Sequence, residues 1–246
     1  MLTIEYDGTN YSGWQLQPNA PSIQEEVERA LRKLTGEEIR INGAGRTDAK
    51  VHALGQVASF FTKATIPPEG YSKALNGILP EDISIVESQE VSENFHARYS
   101  AIGKRYAYQV YLGKNRSPIL RNYSLYVSYN IDLGIMKEAS KLLLGTHDFA
   151  GFMSTGSSVQ DTIRAIHKIE FELRDRSLWI AFEGNGFLYN MVRIMVGTLL
   201  EIGRGAIEPQ QLSRMLKEQD RSLGGPTAQP QGLYLEKVFY PIEDKN

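Results

Sequence analysis

The hydrophobic positions of this chain change repeatedly from the period of a strand to the period of a helix. Apolar side chains at positions 2, 4 and 6 follow the two-residue period of a strand. Ser22 and Glu25 then have the spacing of a capping box, and the apolar residues after them repeat at helical spacing as far as Gly36. In the first part of the chain the pattern predicts strands at 1–6, 38–41, 56–62 and 83–90 and helices at 22–36 and 70–78.

The second part of the chain repeats the same order of elements. It predicts strands at 104–112, 162–173, 178–184 and 233–240, a helix capped by Asp132, a helix at 187–202 and an additional helix at 209–219. Each part therefore reads strand–helix–strand–strand–helix–strand, which is the order of a ferredoxin-like unit. We predict an α+β fold with two ferredoxin/RRM-like halves, 1–102 and 103–246, that form a largely antiparallel central sheet flanked by helices.

The composition narrows the possible chemistry. The 246 residues include no cysteine, which excludes disulfides, thiolate-bound zinc, iron–sulfur clusters and cysteine nucleophiles. The most apolar stretch, 187–202, is interrupted by Asn190, Arg193 and Glu201 and is shorter than the roughly 20 residues that span a bilayer. The first residues have no signal-peptide pattern. We therefore expect a cytoplasmic protein without a membrane segment.

The charge is unevenly distributed along the chain. The totals of 27 Lys+Arg and 29 Asp+Glu give a net charge of −2, which by itself does not indicate a nucleic-acid partner. Residues 94–131, however, contain no acidic residue, and they hold six basic residues and seven of the 13 tyrosines. A basic tract with interleaved aromatic rings is typical of surfaces that bind phosphates and unstacked bases. Taken alone, the tract is more often explained by two ordinary strands, in which tyrosine is common.

Two segments could carry chemistry. The first is the loop at 43–52, where small residues alternate with the polar side chains of Arg46, Thr47, Asp48, Lys50 and His52. Loops on a rigid sheet commonly hold functional sites, although an Arg–Asp ion pair in an ordinary hairpin loop would have the same composition. The second is the helix at 187–202, in which Arg193 must either extend to solvent or pair with a carboxylate.

Several standard sites are missing from the sequence. It contains no phosphate-binding P-loop, no third glycine to complete a dinucleotide loop after Gly45, and no G-x-S-x-G elbow. The four histidines have no i, i+4 pairing. We therefore expect neither a metal site nor a cofactor.

One stretch of the chain contains Gly45-Arg46-Thr47-Asp48-Ala49, Val51-His52-Ala53 and Gly55-Gln56-Val57. This stretch resembles the active-site loop of the tRNA pseudouridine synthase A family. Further blocks occur in the family's order across residues 6–235. They are Tyr6-Asp7-Gly8-Thr9, Gly13-Trp14-Gln15, Phe95-His96-Ala97-Arg98-Tyr99, Lys104-Arg105-Tyr106-x-Tyr108, Gly186-Phe187-Leu188, Met191-Val192-Arg193 and Gly232-Leu233-Tyr234-Leu235. Seven blocks in order make the resemblance specific, and it extends over nearly the whole chain.

The resemblance implies a pseudouridine synthase fold with the active-site cleft between the two halves. It implies that Asp48 is the catalytic nucleophile, that Arg193 pairs with the Asp48 carboxylate, that Tyr106 stacks on the target uracil and that Arg46 helps to hold a flipped-out nucleotide. The remaining RNA contacts that it implies are Phe95, His96, Arg98, Tyr99, Lys104 and Arg105.

The resemblance also implies a partner and a substrate position. The family modifies uridines 38, 39 and 40 in the anticodon stem-loop of tRNA, and it acts as a homodimer. This chain departs from the family at Lys50, where members usually have glycine. The departure leaves the nucleophile intact, affects the local turn of the loop and offers the Lys50 side chain for a phosphate contact.

Two other function classes fit parts of the sequence. A non-catalytic RNA-binding module with RRM-like halves would use the basic, tyrosine-rich tract but would leave Asp48 without a role. A glycoside or nucleoside hydrolase would need a second carboxylate beside Asp48, and none lies in the loop. Incubation with unmodified tRNA followed by mapping of pseudouridine separates the three.

Overall fold

A computed structural model describes residues 1–156 and 159–241. These residues divide into two units, Met1–Lys104 together with the residues from Tyr234 onward, and Arg105–Leu233. The first unit thus combines the start of the chain up to Lys104 with its last strand. The last strand groups with the first unit, because Tyr234 and Leu235 pair in parallel with His52 and Ala53.

The described residues form ten strands and five α-helices. In chain order they are β1 (Leu2–Tyr6), α1 (Ile23–Thr35), β2 (Asn42–Gly43), β3 (His52–Ser59), α2 (Gly70–Asn76), β4 (Ile83–Ser88), β5 (Gly103–Tyr111), β6 (Leu125–Tyr126), α3 (Leu133–Ser140), β7 (Gly145–Asp148), β8 (Ile163–Arg174), β9 (Ser177–Gly184), α4 (Met191–Gly203), α5 (Gln210–Glu218) and β10 (Leu233–Phe239). The α+β class predicted from the sequence is confirmed.

The sheet of the first unit has the strand order β4-β1-β3-β10. Strand β1 lies antiparallel to both β3 and β4, and the short β2 pairs antiparallel with β3. The capping box predicted at the start of α1 is present, since Ser22 Oγ accepts the Glu25 N–H at 3.3 Å. Helix α1 ends at Gly36, whose φ of 75° is left-handed. The predominantly antiparallel pairing follows the prediction.

One predicted strand is wrong, and another begins earlier than predicted. Residues 38–41 form no strand, and a carboxylate of α1 holds the end of this segment instead. Glu28 Oε1 accepts the Ile41 N–H at 3.1 Å, and Glu28 Oε2 binds Arg40 Nη1 at 2.6 Å. The strand predicted at 56–62 begins at His52 instead, so that His52 belongs to β3 rather than to the preceding loop.

The second unit has the strand order β5-β9-β8-β7, in which β8 lies antiparallel to β7 and to β9. The predicted hairpin is confirmed, and Asp175 makes its turn with a φ of 52°. Asp132 caps α3 as predicted, through Oδ1 and the N–H groups of Gly134 and Ile135. The sequence pattern missed the short strands β6 and β7. Helix α4 begins at Met191, four residues later than predicted.

Two classes of feature are missing from the part of the chain that the structure describes. None of its helices combines the length and the apolar character needed to cross a membrane. Nor does it contain a group of three or more histidine, aspartate or glutamate side chains arranged to hold a metal ion.

Candidate active site

The loop between β2 and β3 is held by backbone hydrogen bonds on both sides of Asp48. The Trp14 N–H donates to the Thr47 carbonyl at 3.0 Å, and the Val51 N–H donates to the Asp48 carbonyl at 3.2 Å. Arg46 is exposed and Asp48 is partly exposed. The loop therefore holds Asp48 on a backbone whose position is fixed by its neighbours.

A buried polar cluster lies beneath the same loop. The hydroxyl groups of Tyr6 and Thr47 share a hydrogen bond of 2.7 Å, and Gln56 Nε2 donates to the Gly45 carbonyl at 2.9 Å. Burial raises the pKa of the Tyr6 phenol well above its ordinary value, although hydrogen bonds with Thr47 and Gln56 act in the opposite direction. The phenol is therefore neutral and available for hydrogen bonding at all physiological pH values.

Two positions around this loop have a backbone conformation that favours glycine. Gly13 has a φ of 101°, and a Cβ atom at this position would lie 2.5 Å from the Thr47 carbonyl oxygen. Lys50 has a φ of 64°, in the left-handed region that favours glycine. The position where the sequence departs from the family pattern is thus one where glycine is the least strained residue. The Lys50 side chain is exposed, and its N–H donates to the Tyr11 carbonyl at 3.3 Å.

His52 lies beneath the loop as a structural residue. It is buried and stacks on Tyr234 with ring centroids 4.9 Å apart. Its Nδ1 accepts the Gly8 N–H at 3.1 Å, and Asp7 Oδ1 lies at the same distance. These contacts tie the start of β3 to the Asp7–Gly8 turn, so His52 holds the loop's support in place.

The predicted RNA contacts at 95–99 form a tight turn in the first unit. The Ala97 N–H donates to Ser59 Oγ at 3.1 Å, and the Tyr240 hydroxyl donates to the Ala97 carbonyl at 2.7 Å. His96 Nδ1 accepts the Arg98 N–H at 3.1 Å. The turn therefore holds Arg98 and Tyr99 outward, and Tyr99 is 77% exposed.

Within this turn the four predicted side chains differ in exposure. Phe95 packs on Tyr240 with ring centroids 4.9 Å apart, and the His96 and Tyr99 rings lie 4.4 Å apart. The Arg98 guanidinium carbon lies 5.7 Å from the centre of the Tyr99 ring. Phe95 and His96 therefore support the turn, while Arg98 and Tyr99 form its accessible surface.

Lys104 and Arg105 are adjacent in sequence but have different surroundings. The Lys104 ammonium lies beside the candidate loop, 2.9 Å from where a Cβ atom on Gly45 would be. Arg105 Nη1 binds Glu170 Oε2 at 2.7 Å and lies 3.8 Å from Glu183 Oε2. Hydrogen bonds from Lys168 and then Arg105 lower the pKa of Glu170. Acidic side chains of β8 and β9 thus partly neutralise the basic tract at 94–131, which itself contains no acidic residue.

In the second unit, β5 and α4 position the two remaining predicted residues. Tyr106 is buried, and its ring meets Phe187 edge-on with centroids 5.1 Å apart. Arg193 Nε donates to the Ala228 carbonyl at 2.7 Å, and Arg193 Nη1 donates to Asn190 Oδ1 at 2.7 Å. The guanidinium is therefore oriented by hydrogen bonds and does not extend freely into solvent.

Comparison with known proteins decides the family. The model of the family described as tRNA pseudouridine synthase matches residues 2–100 and 139–241. The chain belongs to this family. It is 49% identical over 240 residues to tRNA pseudouridine synthase A of Thermoanaerobacter sp. (strain X514), covering 98% of each chain. Members of the family isomerise uridine to pseudouridine in tRNA, so the chain is a tRNA-modifying isomerase with a pseudouridine synthase fold.

Other relatives carry similar names. The chain is 49% identical to tRNA pseudouridine synthase A of Acetivibrio thermocellus, covering 97% of this chain and 98% of the relative. It is 47% identical to tRNA pseudouridine synthase A 2 of Clostridium perfringens, with the same coverage. Among solved structures, a Cbf5–Nop10–Gar1 complex matches with a TM-score of 0.36 at 12% identity, covering 81% of this chain and 54% of that one.

Sequence reasoning missed several residues that shape the site. Tyr6 and Gln56 read as ordinary strand positions, because nothing in their local pattern indicates that they bond to the loop. Asn190 has a φ of 61° and bonds both Arg193 and Ser154, yet the apolar spacing places it inside a helix. The resemblance to the family included the block that begins with Tyr6, but it implied no role for the Tyr6 side chain.

Proposed function

We propose that this isomerase converts uridines 38, 39 and 40 of the tRNA anticodon stem-loop to pseudouridine, with Asp48 as nucleophile on a flipped-out base. The observation that carries the proposal is that Asp48 is a partly exposed residue on a loop fixed by the Thr47, Asp48 and Val51 backbone. A fixed carboxylate is what a reaction at an anomeric carbon requires, because positive charge develops on the sugar as the glycosidic bond breaks.

The reaction rearranges the bonds of one nucleotide without net gain or loss. The bond between uracil N1 and the ribose anomeric carbon breaks, the base turns, and the anomeric carbon bonds to uracil C5. The proton on C5 leaves and N1 gains one. Asp48 would attack the anomeric carbon, attack the uracil ring, or assist formation of an unsaturated sugar. In each case the carboxylate must be ionised and the separated base must be kept from water.

Arg193 is proposed as the cation that keeps this carboxylate ionised. Partial removal from water raises the pKa of a carboxyl group, and a neighbouring guanidinium opposes that change. The hydrogen bonds from Arg193 to Asn190 and to the Ala228 carbonyl support a role that needs a fixed orientation. A cation held in this way loses little conformational entropy when it pairs with an anion.

Tyr106 and Arg46 are proposed to hold the target nucleotide outside the helical stack. Flipping costs a few kcal/mol in lost stacking, and stacking on an aromatic ring returns about 1–3 kcal/mol. The edge-on contact between Tyr106 and Phe187 supports the first role, because it leaves the phenol ring in a fixed plane. The exposure of Arg46 on the Asp48 loop supports a contact with the displaced backbone.

The proposed RNA surface includes Phe95, His96, Arg98, Tyr99, Lys104 and Arg105. Arg98 and Tyr99 are the best supported of these, because they are exposed on an anchored turn. Arg105 is the least supported, because RNA phosphate would compete with Glu170 for the guanidinium. The homodimer rests on the resemblance to the family, and a cytoplasmic location follows from the proposed tRNA substrate.

The Asp48→Asn variant tests the proposal, because it removes one charge and little volume. Pseudouridine at 38, 39 and 40 is mapped in an unmodified tRNA transcript, and binding is measured in parallel. We expect no turnover and tRNA affinity within about tenfold of wild type. The matched control is Asp175→Asn, an exposed acid in a left-handed turn that asparagine tolerates, and it should remain fully active.

The outcomes separate the candidate functions. Turnover retained in purified Asp48→Asn would remove Asp48 from the nucleophile role. Modification at other tRNA positions would overturn the anticodon assignment while leaving the isomerase activity. Binding of tRNA by the wild-type protein without any pseudouridine formation would favour the RNA-binding module instead.

A further inference from the structure

A pocket of about 560 Å³ lies in the second unit, next to the end of strand β5. The residues that line it include two arginines, two tyrosines and two glutamines: Arg116, Arg121, Tyr111, Tyr126, Gln229 and Gln231. Pockets that bind small organic ligands usually have volumes of about 300–1,000 Å³. No acidic residue lines the pocket. Its size and its charge therefore suit an anion with an aromatic part.

The two guanidinium groups differ from Arg105 in their surroundings. Within residues 1–156 and 159–241, no carboxylate forms an ion pair with Arg116 or Arg121, whereas Arg105 is paired with Glu170. Arg121 Nη1 donates to the Pro118 carbonyl, which orients the group and engages one of its five N–H donors. A planar guanidinium fits two phosphate oxygens at once, so these arginines are suited to hold a phosphate.

The aromatic part of the lining is fixed by strand pairing. Tyr111 and Tyr126 are paired across β5 and β6, and their ring centroids lie 6.3 Å apart. The Tyr126 hydroxyl donates to the Lys114 carbonyl at 3.1 Å. Two glutamines of the lining are also held by hydrogen bonds: Gln231 Nε2 donates to Gln229 Oε1 at 2.7 Å, and the Gln229 carbonyl accepts the Tyr108 hydroxyl at 2.6 Å. The pocket thus has aromatic faces for stacking and amide groups for the edge of a base.

We propose that this pocket binds one nucleotide of the tRNA other than the uridine that is isomerised. Arg116 and Arg121 hold its phosphate, and the Tyr111 and Tyr126 rings contact its base. The proposal rests on tRNA as substrate but not on the catalytic role of Asp48. The position is distinct from that of Tyr106, because Tyr111 lies five residue steps after Tyr106 along β5, a distance of about 17 Å. Strand alternation also directs these two side chains to opposite faces.

Variants of the pocket test the proposal with the full-length protein and an unmodified tRNA transcript. Arg116→Gln/Arg121→Gln removes both charges, and Tyr126→Leu removes a ring that Tyr126→Phe keeps. We expect the double variant and Tyr126→Leu each to bind tRNA about tenfold more weakly and to raise KM with kcat retained. Tyr126→Phe should bind like wild type. For the double variant, the slope of log affinity against log salt should fall by about one.

Arg214→Gln is the matched control, since Arg214 is an exposed arginine on α5 paired with Glu218, and its tRNA binding should not change. Thermal unfolding of each variant confirms that it is folded. Wild-type affinity in the double variant would overturn the proposal. This result is separable from failure of the Asp48 mechanism, because binding is measured independently of turnover.

A second measurement distinguishes a nucleotide within tRNA from free ligands. Uridine 5′-monophosphate, adenosine 5′-monophosphate and inorganic phosphate are titrated against wild type and the double variant, with chemical shifts observed by NMR. Nucleotide binding that exceeds phosphate binding and is lost in the double variant supports the pocket. Equal binding of phosphate alone would overturn the stacking contact. Mononucleotide binding with unchanged tRNA affinity would overturn the assignment to tRNA.

Discussion

At the scale of single residues, the Asp48 loop depends on atoms from positions far from it in sequence. Tyr6 lies 41 positions before Thr47, yet their hydroxyl groups share the buried hydrogen bond beneath the loop. Gln56 supports the loop from the other side through the Gly45 carbonyl. The backbone preceding Asp48 is thus fixed by side chains that do not themselves face the substrate.

Tyr6→Phe should therefore destabilise the protein, because it leaves the buried Thr47 hydroxyl without its partner. We expect a loss of about 1–2 kcal/mol in the free energy of unfolding. Tyr6→Phe/Thr47→Val removes both hydroxyl groups and should recover part of this loss. Denaturant unfolding of the two single variants and the double variant measures the coupling. Strictly additive effects would show that the two hydroxyl groups do not interact.

Lys50 gives a second prediction at this scale. Its left-handed φ of 64° costs a side chain about 1–2 kcal/mol, whereas glycine adopts it freely but loses more entropy on folding. Lys50→Gly should therefore stabilise the protein by about 0.5–1 kcal/mol and raise Tm by about 1–4 °C. Lys50→Ala is the control, because it removes the side chain but keeps the strain. If Lys50 contacts a phosphate, both variants should weaken tRNA binding equally.

At the scale of elements, helix α4 is positioned by the segment at 224–228. Ala228 exchanges two hydrogen bonds with Arg193, through its N–H at 3.0 Å and its carbonyl at 2.7 Å. The Gly225 N–H donates to Thr198 Oγ1 at 3.0 Å. A Cβ atom on Gly197 would lie 1.8 Å from the Pro226 carbonyl oxygen. The close approach of backbone to helix therefore requires glycine, and it also sets the orientation of Arg193.

Gly197→Ala should displace this segment. The added Cβ atom would overlap backbone atoms of the 224–228 segment, so we expect a loss of about 2 kcal/mol or more in the free energy of unfolding. Turnover should also fall, because the same segment orients Arg193. Gly77→Ala is the control, because Gly77 has a φ of −77° and a Cβ there would be 3.5 Å from its nearest neighbour. The control should be neutral or slightly stabilising. Equal Tm values for the two variants would contradict the close approach.

Helices, strands and caps were predicted correctly where neighbouring residues in the sequence specify them. Helix α1, the β8–β9 hairpin and the Asp132 cap follow from residues within four positions of one another. The strand at 38–41 was wrong: Glu28 of the preceding helix accepts the Ile41 N–H and pairs with the Arg40 side chain, and neither contact can be read from the local pattern. The short strands β6 and β7 were missed because two to four residues carry too little periodicity to detect.

At the scale of the whole molecule, buried tyrosines set a limit on stability at high pH. Burial raises the pKa of Tyr6 and of Tyr108 far above the value near 10 of an exposed phenol. Unfolding therefore releases protons above pH 10, so the stability that these groups provide is complete below that pH and is lost as the pH rises further. The fold keeps both phenols neutral throughout the physiological range.

We expect the free energy of unfolding to fall above pH 10 by about 1.4 kcal/mol per pH unit for each tyrosine kept neutral in the folded state. Denaturant unfolding at several pH values between 9 and 12 measures the slope. Tyr6→Phe should reduce it by one such increment. Absorbance at 295 nm provides the second check, since these two phenols should ionise only on unfolding. A slope that Tyr6→Phe leaves unchanged would contradict the assignment.

Residue types and short spacings were enough to establish the class of elements, the absence of cysteine chemistry and, through the resemblance, the family and the candidate nucleophile Asp48. These depend on residue type and on spacings of a few positions. Tertiary structure alone decided the pairing of Arg105 with Glu170, the hydrogen bond from Tyr6 to Thr47, the left-handed φ of Lys50 and the position of β10 beside β3. Each of these depends on where the surrounding chain places a partner or constrains the backbone, and local periodicity carries no information about that.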